Sequence, residues 1–156
     1  MQPKPNIEQL LSSDNINNSI IELDNYICAL CDWGDDLDAL TYPQRVFHFN
    51  QELEREVNNG GFEQYFENSS GMYANDTITT LELVGANTTA NILRSAIDFF
   101  PDKQVPIDQD ERVEMVSTMD ESVAERWEEL DQQFFNYEDN LNSLNMEFVR
   151  KHKEDF

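Results

Sequence analysis

Apolar residues return every three or four positions along most of the chain, and no run rich in β-branched residues alternates with period two. That pattern predicts an all-α protein. Ile20, Leu23, Ile27, Leu30 and Cys31 define a first long helix from about Ser13 or Asp14 to Gly34, after a polar lead over residues 1–12 that is expected to be flexible. Thr41 as N-cap, with Pro43 in the first turn, opens a second helix whose inward residues are Val46, Phe49 or Asn50, Leu53 and Val57. Gly60 caps its end, and Gly61 turns the chain into a short helix carrying Phe62, Tyr65 and Phe66, which closes near residues 68–71.

Asn75 or Asp76 is expected to cap a helix bearing Ile78, Leu81 and Val84, stopped by Gly85. Asn87 or Thr88 opens the next, with Leu93, Ala96, Ile97 and Phe100 inward and Pro101 at its end. Residues 101–108 have no periodicity and read as a loop. Val113, Val116 and Met119 then start a stripe that runs on through Val123, Trp127, Leu130 and Phe134, and Leu141, Leu144 and Phe148 mark a last helix. The expectation is a compact single-domain helical bundle of seven to eight helices over residues 13–156.

A chain of 156 residues can remove roughly two thirds of its unfolded surface from water. Ten Phe, five Tyr and two Trp fill a core despite a hydrophobic content of only 39%. No stretch of about 18 apolar residues is present, and no signal-like apolar run follows Met1 to Asn6. A cytoplasmic protein without a membrane partner is expected, and the Asn-x-Ser/Thr triplets at Asn17, Asn68, Asn75 and Asn87 carry little meaning there.

Charge changes the picture most. Asp and Glu number 32 against 10 Lys and Arg, a formal net of -22, which repels phosphates and attracts cationic surfaces. Direct nucleic-acid binding is not expected, whereas a basic protein is. Residues 101–140 hold 13 acidic and 3 basic residues while residues 61–100 hold 5 and 1, so the acidity is concentrated. Other clusters fall at Asp32 to Asp38 and at Glu52 to Glu56. On the helix around Trp127 the core stripe places Glu121, Glu125, Glu128 and Glu129 on the opposite face. Like charges four residues apart cost a few tenths of a kcal/mol each, and a face built for stability would alternate signs. The bland alternative is a solvated acidic surface.

The segment QELEREVNNGGFEQYFENSSG followed by LELVGA resembles a bacterial family that includes DNA-mimic proteins. Asn59, Gly60, Gly61, Phe62, Gln64, Tyr65 and Phe66 carry the resemblance, and Gly85 with Ala86 fits its later Gly-Ala turn. What the resemblance implies is an all-α homodimer whose acidic surface imitates double-stranded DNA and occupies the DNA-binding face of a transcriptional repressor or other DNA-binding protein. From Gly61 on, the motif lies in residues 61–100, where acidic residues are sparse, so it reads as scaffold. The partner-binding carboxylates are expected at Asp35, Asp36, Asp38, Glu114, Asp120, Glu121, Glu125, Glu128, Glu129, Asp131, Glu138 and Asp139.

No catalytic constellation stands out, no enzyme is expected, and no cofactor or metal is assigned. His48 and His152 lie in no triad-like context. Cys28 and Cys31 form a C-x-x-C that continues an apolar helical pattern, so they read as buried thiols without a second pair to complete a zinc site. The acidic loop from Asp35 to Asp38 lacks the ligand spacing of an EF-hand. Two rival functions stay open: an immunity-type inhibitor of a basic toxin or nuclease, and an acidic structural protein without a dedicated partner.

Overall fold

N-cap side chains open six of the eight α-helices in the computed structural model of the protein, which describes residues 2–156. Those residues form eight α-helices and no strand: α1 (Ile7–Ser12), α2 (Ile16–Leu30), α3 (Tyr42–Glu67), α4 (Ala74–Val84), α5 (Asn87–Ile97), α6 (Gln109–Ser117), α7 (Glu121–Phe135) and α8 (Leu141–Lys151). The all-α fold class is as expected. Thr41 opens α3 with a full capping box: its Oγ1 accepts from Gln44 N–H at 3.2 Å and Gln44 Oε1 accepts from Thr41 N–H at 3.0 Å. Gly85, at φ 86°, ends α4 in the left-handed conformation.

Several boundaries differ from those the pattern predicts. Residues 7–12 of the supposed flexible lead form α1, which buries Ile7, Leu10 and Leu11; Met1 lies outside the described residues. Asn15, rather than Ser13 or Asp14, caps α2, and α2 stops at Leu30 because Asp32, Trp33 and Gly34 all adopt positive φ. Asn75 does not cap α4 but lies within it, bonding the loop through Val105 N–H and the Lys103 carbonyl, each at 2.9 Å. The stripe from Val113 to Phe134 is broken between α6 and α7, where Asp120 caps the new helix. Within α6 it is Arg112 that is buried, while Val113 is 38% exposed.

Helix α3 is the spine. One side, through Val46, Leu53 and Val57, joins Leu81, Leu93, Ile97, Trp127, Leu130 and Phe134 in the main core. Phe47 faces a second core under α1, α2 and α8 with Leu10, Leu23, Ile27, Val149 and Phe156. Between the two runs a buried polar seam in which Asn50 Nδ2 donates to Asn145 Oδ1 (3.0 Å) and Thr80 Oγ1 donates to Asn50 Oδ1 (2.8 Å). Buried amides of this kind are stable only in the register that pairs them, so the seam fixes how α4 and α8 sit on α3.

Candidate functional site

The Asn-Gly-Gly-Phe segment positions α7. Gly61 holds φ 77°, a conformation side chains disfavour, and a Cβ there would stand 2.3 Å from Asp131 Oδ2. That close approach lets Asp131 Oδ1 accept from the Phe62 N–H at 2.8 Å. A carboxylate thus caps the short helical segment after the kink, where the helix dipole favours negative charge. At the other end of that segment the fully buried Arg112 donates to the carbonyls of Phe66 and Asn68 (the latter at 2.7 Å), and to those of Pro106 (2.8 Å) and Ile107 (3.0 Å). Gly71 makes room for it, since a Cβ would come 2.5 Å from Arg112 Nε. Glu56 bridges the kink by accepting from Gln64 (2.7 Å) and Asn68 (2.8 Å).

Against this base, α7 turns Trp127, Leu130 and Phe134 inward, with Trp127 Nε1–H donating to the Ala96 carbonyl at 3.0 Å. Glu121, Glu125, Glu128 and Glu129 are exposed on the outside, as the helical spacing predicts. Arg126 pairs with Glu129; Glu121, Glu125 and Glu128 have no ion-pair partner among the described residues. Glu63, which the sequence reading did not include, lines with these three and Asp131 an open groove of about 390 Å³ between α3 and α7. Burial holds the Asp131 carboxyl above its ordinary range, with Glu128 and Glu63 pushing the same way and the Phe62 N–H opposing. Asp120 is exposed yet held below its ordinary range by hydrogen bonds from Ser122.

The other expected residues scatter. Asp35, Asp36 and Asp38 are exposed beside the first turn of α3, where Arg45 donates to the Leu37 carbonyl (2.8 Å) and pairs with Asp38 (3.4 Å). At 1.5 Å per residue, Arg45 and Gly60 are about 22 Å apart along α3, so this loop is not continuous with the groove. Glu114 and Glu138 are exposed elsewhere on α6 and after α7. Asp139 is turned inward: its Oδ2 accepts from Thr89 N–H (2.7 Å) and Thr89 Oγ1–H (2.9 Å), capping α5. Asp131 and Asp139 therefore also serve the fold, Asp131 while lining the groove. Seven of the ten Lys and Arg sit in ion pairs and Arg112 is interior, so the bases are consumed locally.

A second ionisable cluster joins α2 to α3. Cys28, Cys31 and His48 are fully buried, with His48 Nδ1 4.0 Å from Cys28 Sγ and Nε2 4.0 Å from Cys31 Sγ. Burial pushes the Cys28 thiol up to about 12 and the His48 imidazole down to about 4. Both are neutral at pH 7, so the pair offers no thiolate nucleophile. The buried thiols were legible in the sequence; their histidine was not, because it lies on another helix.

No helix among the described residues is long and apolar enough to cross a membrane. The model of a family described as DMP19-like protein matches residues 38–152. No curated protein and no solved structure matches the chain.

Proposed function

The chain belongs to the DMP19-like protein family, and from that premise we propose that it is a DNA mimic whose outer α7 face takes the place of duplex DNA on a DNA-binding protein such as a transcriptional repressor. The observation that carries this reading is the row Glu121, Glu125 and Glu128, exposed, without ion-pair partners among the described residues and facing Glu63 across the groove. Glu121 and Glu125, four residues apart, are separated by about 6 Å of helix rise, close to the roughly 7 Å of two nucleotide steps on one DNA strand. A basic surface shaped for phosphates meets carboxylates at comparable intervals. The protein acts by binding rather than catalysis, as a homodimer, in the cytoplasm.

Such binding is fast and falls steeply with salt, because it is dominated by charge. The test is capture of partners from native lysate at low salt, followed by competition with duplex DNA. Partners should be released by DNA, and the variant carrying Glu121→Lys, Glu125→Lys and Glu128→Lys should fail to capture them. Partners that ignore DNA and bind this variant equally would end the mimic reading.

A further inference from the structure

We propose that Asp24, Cys28 and His48 form a site for a thiolate-binding divalent cation, with zinc the best chemical match. Helix α2 sets Asp24 and Cys28 one turn apart on one face, and α3 brings His48 against them. One ligand atom from each of the three lies within 4.8 Å of the others. Cys28 Sγ is 3.6 Å from Asp24 Oδ1 and 4.0 Å from His48 Nδ1. Around a tetrahedral zinc with bonds of about 2.0 to 2.3 Å, neighbouring ligand atoms stand about 3.4 to 3.6 Å apart. Small side-chain movements close the set, and no ion is present at it here.

The surroundings fit this use. A metal-bound imidazole is oriented by a group that holds its other nitrogen, and Cys31 Sγ sits 4.0 Å from His48 Nε2, on the far side of the ring from Cys28. The C-x-x-C thus divides its labour: Cys28 binds and Cys31 orients. The guanidinium of Arg55 reaches both Asp24 and Cys28 Sγ, the latter at 3.8 Å, so a cation already stands beside the carboxylate and the thiol sulfur. Its side chain is 39% exposed and also tied to Glu52, which gives it a place to swing when a divalent ion displaces it.

Access comes from an open cleft of about 380 Å³ that Asp24 and Arg55 line together with Gln51 and Glu54. Gln51 is 7% exposed, and its Nε2 and the buried Glu54 Oε2 have no hydrogen-bond partner among the described residues. A donor and an acceptor left over on one wall suit a water held in the cleft that Asp24 lines. On binding, the S–H bond of Cys28 breaks, the sulfur keeps the electron pair and bonds the metal, and the proton passes to solvent. The ion would pin the second core's α2 to the spine, a role separate from the acidic α7 face.

Titration of the full chain with Co²⁺ alone, followed by displacement with Zn²⁺, tests the site. Carboxylates across so anionic a surface bind Co²⁺ loosely, so the readout is the sulfur-to-cobalt charge-transfer absorption, which only a thiolate ligand produces. The wild type should show this band at one ion per chain and release a proton. Cys28→Ser should abolish it, and the partly exposed Asp24→Asn should weaken it without unfolding the chain. Cys31→Ser should keep the band but weaken binding roughly 10- to 100-fold, and Arg55→Gln should tighten it. Absence of the band in wild type, or its persistence in Cys28→Ser, overturns the proposal.

Discussion

The short helical segment after Gly61 and the outer face of α7 lie a few ångströms apart and treat charge in opposite ways. At the segment's start Asp131 meets the Phe62 N–H, and at its end Arg112 meets four carbonyls. The charges at its two ends, Asp131 and Arg112, have partners at hydrogen-bond distance and the signs the helix dipole calls for. On α7, Glu121, Glu125 and Glu128 crowd together without an ion-pair partner among the described residues. The contrast separates carboxylates that serve the fold from those left over for a partner, and the two kinds occur on the same helix.

The contrast can be broken most severely at Arg112. Arg112→Ala strands buried carbonyls that cost about 1 to 3 kcal/mol each, so denaturant titration should show a loss of several kcal/mol, enough to leave little folded protein. A loss below about 1 kcal/mol would mean that water replaces the guanidinium freely. Next is the acid response. His48, neutral inside with its value lowered from 6.5 to about 4, contributes stability that is fully present above pH 6.5 and lost as pH falls toward 4, in total about 3 kcal/mol. Asp131 and Glu54, both raised by burial, work the other way as pH falls. His48→Gln should flatten the acid limb seen in thermal melts at stepped pH.

Smaller effects sharpen the comparison. Asp131→Ala removes a cap and should lower stability by about 1 to 2 kcal/mol, whereas Glu125→Gln relieves like-charge crowding and should raise it by a few tenths. Equal destabilisation by both would erase the distinction between the two kinds of carboxylate.

Much of the fold was legible because its signals are local. Thr41 caps a helix through Gln44 three residues on, and Gly85 ends one at the residue itself. The outward row on α7 was legible for the same reason, since Trp127 fixes the helix face. Charges turned inward were not. Arg112 bonds a carbonyl 46 residues away, Asp131 an amide 69 residues away and Asp139 one 50 residues away. Nothing in the neighbourhood of any of them distinguishes a buried charge from a solvated one. In α6 the periodicity pointed to Val113, yet Arg112 is buried because enough carbonyls converge on it to satisfy its donors.

The inward carboxylates have a mechanical meaning too. Asp131 pins α7 to the kink in α3, and Asp139, just past its end, pins the chain to the start of α5. Within α7 itself the Asp131 bond and the Trp127 Nε1–H bond to the Ala96 carbonyl resist rolling of the helix about its own axis. The outer glutamates therefore keep one azimuth before any partner arrives, and association adds no cost of orienting a helix to the usual loss of rigid-body and side-chain freedom.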